Sequence, residues 1–204
     1  MTEETRRPGR RRGNGESPQT REAILEAALA AFEEKGYTAT TIRGVATAAG
    51  VDPALVMHFF GSKDGLFDAA IRGPGMPLRR LRDVFGAGPP DGLGERLIRR
   101  YLSIWDDPVT GPRLHAVMQA AASSPAAAGI LKDFMVAEVL RPLAELVTGD
   151  DAETRAILAA SQMIGVAITR YVLRVDPMAA LTTDQLATAV APTLQRYLTG
   201  DLGL

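Results

Sequence analysis

With 204 residues, 46% of them hydrophobic, the chain is long enough to bury a substantial core and to hold one small domain plus one of roughly 130 residues. It has no cysteine, which excludes disulfides and thiolate metal sites and agrees with a reducing compartment. The formal net charge of −1 argues against nucleic acid only until its distribution is read, because Arg6, Arg7, Arg10, Arg11 and Arg12 crowd the start of the chain. Interspersed with Pro8, Gly9, Gly13 and Gly15, they make residues 1–17 a disordered basic arm. Such an arm is either a solubilising tail or a segment that contacts phosphates or enters a minor groove with salt-dependent, largely nonspecific affinity. No apolar signal segment is present, and the most apolar stretch, near Ile157 to Ile168, falls short of the roughly 20 residues that a membrane span requires. A soluble, cytoplasmic protein without membrane contact is expected.

Ser17-Pro18 opens the first helix, which runs to about Lys35 with Ile24, Ala27, Ala28, Ala31 and Phe32 on one face. Next come two short helices joined by a tight glycine turn. In the first, Ile42, Val45, Ala46 and Ala49 form an apolar stripe, with Thr40 or Thr41 as its N-cap. Gly50 supplies the turn, and Asp52-Pro53 caps and starts the second. This is a helix-turn-helix, whose second helix enters the major groove in the DNA-binding form of the motif. Val56, Phe59 and Phe60 face the core at helical spacing, leaving Pro53, Ala54, Met57 and His58 outward. Ser62 caps a fourth helix with Leu66, Phe67, Ala70 and Ile71 inward, and Gly73-Pro74-Gly75-Met76-Pro77 interrupts it.

From Pro18 to Ile71 these residues resemble the TetR family of bacterial transcriptional regulators. Thr41, Val45, Ala46, Ala49, Gly50, Val51, Phe59, Phe60, Ser62, Lys63 and Leu66 fall on the family's helix-turn-helix pattern, directly or by a conservative change. Ile24, Ala27, Ala28, Phe32, Gly36, Tyr37 and Thr40 look like its first helix and the turn that follows. The resemblance implies a homodimer that reads a palindromic double-stranded operator with two recognition helices and is released by a small-molecule effector. An activator, or a regulator without effector control, is the alternative. The candidate DNA-binding residues are Thr41, Arg43, Asp52, Pro53, Ala54, Leu55, Met57, His58 and Lys63. Phosphate contacts are assigned to Thr41, His58 and Lys63, the last aided by a helix N-terminus, while Arg43 reaches a base or a phosphate. A surface residue without a role is the lesser reading of His58. Met57 stands where the family commonly has a phosphate-binding tyrosine, and it cannot donate. Pro53, Ala54 and Leu55 replace polar or small residues, so base reading there would use apolar contact with thymine methyls.

Beyond the break, helices are predicted near Leu78–Phe85, Gly92–Trp105, Pro112–Ser123, Pro125–Val147, Asp151–Val175 and Thr183–Thr199. Pro142 should kink its helix, and Pro192 should distort its own locally. The fold class is therefore all-α: an N-terminal helix-turn-helix domain at 18–72 and a C-terminal antiparallel helical bundle at 78–204, about nine to ten helices in total. Tyr101–Pro108 and Ala191–Leu198 also look like one C-terminal subtype of the family. By that resemblance, 151–175 and 183–199 pair across a two-fold axis, where the small residues Ala159, Ala160, Ser161, Gly165 and Ala167 permit close approach. An effector pocket is implied inside the bundle, with Tyr101, Trp105, His115, Met118, Met135, Met163, Ile164, Arg170 and Tyr171 as candidates. Arg170 is notable because a charge within an apolar helix needs a partner, an anionic ligand or a route to solvent. Neither His58 nor His115 has metal-ligand spacing, and GxGxxG, phosphate-loop and GxSxG motifs are missing from the sequence. Asp106-Asp107 and Asp150-Asp151 read as helix-end caps. No catalytic residue, metal or cofactor is expected, and an enzyme is the disfavoured reading.

Overall fold

A computed structural model describes residues 17–147 and 151–203, and the arginine-rich arm at 1–16 and Asp150 lie outside it. Among the described residues there are nine α-helices and no strand. The first, α1 (Pro18–Ala39), starts where Ser17 accepts a hydrogen bond from the Thr20 backbone N–H at 3.2 Å. It runs past the expected end at Lys35, with a break at Gly36, where φ is 75°. That break turns Tyr37 into the core against Phe32 and Phe67. Thr40 is also buried, donating to the carbonyls of Gly36 and Ala31 at 2.8 and 3.0 Å.

Thr41 is consequently the N-cap of α2 (Ile42–Ala49), accepting from the Gly44 N–H at 3.1 Å. Helix α3 (Pro53–Phe60) is capped by Asp52, and α4 (Lys63–Arg72) by Ser62. Ile24, Ala28, Phe32, Val45, Ala46, Val56, Leu66, Phe67, Ala70 and Ile71 close the small core between them. Leu25 and Leu29 are buried on a second face of α1, where they meet the Gly73–Gly75 segment and the bundle helix that packs along α1.

The interruption at 73–77 is ordered. Met76 is buried, and its N–H donates to the Gly73 carbonyl at 3.1 Å. The helix expected at 78–85 is instead a 3₁₀ helix, Pro77–Val84. Its apolar residues Leu78, Leu81 and Val84 recur every third position, which matches three residues per turn and not 3.6. The bundle follows: α5 (Leu93–Asp106), α6 (Thr110–Ser123), α7 (Pro125–Met135), α8 (Ala152–Ala167) and α9 (Thr183–Thr199). A π-helical turn, Val136–Leu140, and a last turn, Arg141–Ala144, prolong α7. Pro142 has no N–H for the Glu138 carbonyl, and the ladder shifts so that the Arg141 N–H reaches Val136. A second π turn, Ile168–Val172, ends α8. Helix α9 passes through Pro192 without a break, Pro192 and Thr188 both being exposed on its outer side.

Helices α5 and α9 lie antiparallel. Arg99 of α5 pairs with Asp184 at the start of α9, and Gly94 meets Gln195 near its end. The Gly94 N–H donates to the Gln195 side-chain oxygen at 2.9 Å, satisfying one open donor of the α5 N-terminus. A Cβ at Gly94 would stand 2.6 Å from the Gln195 nitrogen and 2.7 Å from the Ala191 oxygen, both backbone atoms. Gly94→Ala is therefore expected to destabilise the protein by about 1–3 kcal/mol, read as a lower thermal-unfolding midpoint with helical content retained before the transition.

Candidate nucleic-acid interface and bundle cavity

The turn between α2 and α3 is built on Gly50, whose φ of 67° belongs to the left-handed region. Its N–H reaches the Ala46 and Thr47 carbonyls, and the Val51 N–H reaches Ala46 at 3.0 Å. Asp52 then accepts from the Ala54 N–H at 2.8 Å, which gives its carboxylate a capping role. With Val56 buried and Phe59 and Phe60 packed on the core, α3 turns Pro53, Ala54, Met57 and His58 to solvent. Met57 is 45% exposed, an apolar side chain presented on an otherwise open helix face. Leu55 is half-buried and lines a shallow concavity with Asp52, Gly50 and Ser17. The described chain thus begins beside the N-terminus of α3.

Thr41 and Arg43 are both exposed, Thr41 at the start of α2 lining a concavity between α1 and α2. Lys63 has a more structural setting than the sequence suggested. Its ammonium donates to the Tyr37 and Thr38 carbonyls at 3.0 and 3.2 Å and lies 4.6 Å from the centre of the Tyr37 ring. One of its three hydrogens remains for another acceptor. The Tyr37 hydroxyl donates to Asp64, so two consecutive residues of α4 clasp the end of α1. Burial and the neighbouring carboxylate push the Tyr37 phenol well above its ordinary range. Arg21, which the sequence reading passed over, lies 5.4 Å from the Phe60 ring centre and adds an exposed cation at this edge. The signal was available: Arg21 is the only basic residue in the first half of α1.

The bundle encloses a cavity of about 130 Å³. Six of the expected residues line it: Tyr101, Trp105, Met118, Met135, Met163 and Ile164. Leu78 and Leu81 also line it, brought to one side by the three-residue period of the 3₁₀ helix. His115, Arg170 and Tyr171 do not reach its wall. On α6 the wall is made by Leu114, Val117 and Met118, and His115 points off that face, half-buried. Arg170 requires no anionic ligand, because it donates to the Met178 and Leu181 carbonyls at 2.9 and 2.8 Å. Tyr171 stands behind Trp105, their rings stacked 5.1 Å apart at 12°. Its hydroxyl donates to Asp106 at 2.8 Å, and Thr183 donates to the other oxygen of that carboxylate at 2.7 Å. Asp107 caps α6 through the Val109 and Thr110 N–H groups, which hold its carboxyl below the usual range.

The expected small-residue stripe also needs correction. Ala159, Ala160 and Ala167 are buried within the subunit, whereas Ser161, Gly165 and Ile157 lie on the outer face of α8. Among the described residues, no cluster of His, Asp or Glu could hold a metal, and no helix is long and apolar enough to cross a membrane.

Comparison with known proteins identifies this arrangement. The family profile "Bacterial regulatory proteins, tetR family" matches residues 24–70, and "Tetracyclin repressor-like, C-terminal domain" matches 91–198, more than half of the chain. The chain belongs to the TetR family. A TetR-family regulator from Streptomyces coelicolor A3 is 35% identical, with 94% of this chain and 99% of that one covered and a TM-score of 0.64. NalD of Pseudomonas aeruginosa, described as the secondary repressor of a multidrug efflux pump, shares the fold at 22% identity and a TM-score of 0.64, over 90% of this chain and 97% of its own. The HTH-type transcriptional regulator BetI of Rhizobium meliloti (strain 1021) is 44% identical over 69 residues, 34% of this chain and 32% of that protein. The chain spans less than two thirds of the length of the curated relatives it matches. Membership in the TetR family places it among regulatory proteins and not among enzymes.

Burial raises the phenols of Tyr37, Tyr101 and Tyr171 above the ordinary value of 10.0. Below pH 10 both folded and unfolded chains keep these protons, and the stabilisation is fully present; above it the unfolded chain releases them first, so stability falls. The unfolding midpoint is expected to hold through pH 9 and drop beyond pH 10, and Tyr101→Phe should make that alkaline drop shallower.

Proposed function

We propose that this TetR-family protein is a cytoplasmic homodimeric repressor that holds a palindromic operator and is released when a small molecule fills the bundle cavity. One observation carries the reading: the segment that continues α4 is also a wall of the cavity, since Leu78 and Leu81 follow the end of α4 by only a few ordered residues. The Gly75 carbonyl in that connection accepts from Arg113 of α6 at 3.3 Å, and Arg113 also pairs with Glu26 of α1. An occupant that displaces Leu78 or Leu81 therefore acts on the segment that joins reader to bundle. The break at 73–77 serves as a short ordered link. For every tenfold loss of operator affinity the ligand must favour the DNA-incompetent state by about 1.4 kcal/mol. Regulation without an effector is the weaker reading, because a bundle of that kind needs no cavity.

On the DNA side, Pro53, Ala54 and Met57 meet base edges, with Leu55 held back toward the turn. Thr41, Arg43, His58 and the remaining Lys63 hydrogen meet phosphates. Residues 18–72 carry five Lys and Arg against seven Asp and Glu, so these helices are not a basic surface in themselves. Arg6, Arg7, Arg10, Arg11 and Arg12 supply that charge, attached at Ser17 next to Asp52 and Leu55. The second subunit packs across α8 and α9, whose outer faces offer Ile157, Ser161 and Gly165 on one helix and Ala189, Pro192 and Thr193 on the other.

The test is a salt-series titration of the full chain on DNA flanking its own gene, against random competitor. Competitor-resistant binding of two protomers per site is expected, and binding no tighter than to random DNA would count against a nearby operator. Removing residues 1–16 should flatten the dependence of log affinity on log salt by up to about nine, for the ten arginines of two bound protomers, with sequence preference kept. Lys63→Ala should weaken specific and random binding alike and lower the slope by about one for each bound protomer. A melting curve on the same variant separates that effect from loss of its two carbonyl contacts.

A further inference from the structure

Among the described residues around the bundle cavity, only Tyr101 and Trp105 carry a side-chain nitrogen or oxygen, and neither atom faces the space. The two stand one turn apart on α5, their rings edge-on with centres 6.2 Å apart. Burial raises the Tyr101 phenol far above its ordinary range, and a hydrogen bond with the Trp105 side chain offsets part of that rise. The indole nitrogen is itself buried. The polar groups of these two residues are thus turned to each other, and the wall that remains is apolar.

The rest of the lining is aliphatic or thioether, and no Asp, Glu, Lys, Arg, His, Ser, Thr, Asn or Gln among the described residues contributes to it. A water molecule there would lack the polar partners that hold one in a protein interior, so the space is dry. A ligand hydroxyl or amide would give up its hydrogen bonds to water without replacement, and a ligand charge would meet no counter-charge. A hydrocarbon loses nothing of that kind, and it supplies the dispersion contacts that an empty cavity withholds from its lining. The volume of about 130 Å³ is close to that of an apolar cavity of about 150 Å³ that holds benzene. Met118, Met135 and Met163 line it with flexible thioethers, which tolerate variation in outline. Shape is thus loosely specified and polarity tightly.

We propose that the ligand of this cavity is an uncharged, hydrocarbon-like molecule of about the bulk of benzene or toluene, held by dispersion and exclusion from water with no hydrogen bond to the wall. As the class of the effector, this rests on the reading that filling the cavity releases the operator.

Toluene, phenol and benzylammonium are similar in size and differ in polarity. Titration calorimetry of the full chain should show toluene binding about tenfold or more tighter than phenol, whose hydroxyl finds no partner, and benzylammonium not entering the cavity. In the intact protein, the ring current of bound toluene should move the methyl resonances of Met118, Met135 and Met163. Ala160→Leu, which adds an isopropyl group to the wall, should weaken toluene binding by about tenfold or more. The methionine shifts decide the matter if that variant fails to fold. Phenol binding as tightly as toluene at those methyls, benzylammonium moving them, undiminished toluene binding by a folded Ala160→Leu, or methyls unmoved by toluene at its limit of solubility would overturn the assignment. Toluene seated among those methionines with unchanged affinity for the flanking DNA would uphold the ligand class and overturn release as its consequence.

Discussion

Helix α1 buries two faces, and the remaining architecture depends on that. Ile24, Ala28 and Phe32 close the core shared with α2, α3 and α4, while Leu25 and Leu29 pack toward the Gly73–Gly75 link and the bundle. A helix clamped on both sides cannot adjust to one neighbour without straining its contacts with the other, because packed side chains leave little free volume. The clasp at its C-terminal end adds to this. Lys63 and Asp64 of α4 hold Tyr37 and the last carbonyls of α1, so the start of α4 is tied to α1 while its far end runs into the cavity wall.

This arrangement changes what the charged residues contribute. Lys63, Arg113, Arg155 and Arg170 all donate to backbone carbonyls, and the first three join elements distant in sequence. Arg155 on α8 reaches the Tyr197 and Gly200 carbonyls at the end of α9 at 3.1 and 2.7 Å. Such bonds fix the relative placement of helices more than they add stability, since exposed ion pairs on the same surface are worth little. The basic character needed to approach DNA is consequently concentrated in the arm and a few exposed side chains.

Much of the molecule was legible in the chain itself. The cap at Ser17, the Gly50 turn and the Asp52-Pro53 start are local signals, and each lies where its residues require. The inward set of α4 and the outward set of α3 follow from helical period alone. Other features were not local. Gly36 lets the end of α1 fold back on aromatic partners, a choice visible only once Phe67 is in place. Thr40 and Thr41 are equivalent as caps until burial sends the first inward. The pocket candidates divided in the same way: Tyr101, Trp105 and Met118 share a wall, whereas His115 sits one position around the helix from it.

By itself the sequence determined that the protein is all-helical, where most helices begin and end, and which side of α3 faces outward, because caps, breakers and a 3.6-residue period act over a few neighbouring residues. Only the tertiary structure decided that Leu78 and Leu81 wall the cavity, that Arg170 is satisfied by carbonyls, and that Tyr171 stacks on Trp105. Those outcomes depend on which groups from remote segments arrive at the same point in space, and no periodicity along one segment carries that information.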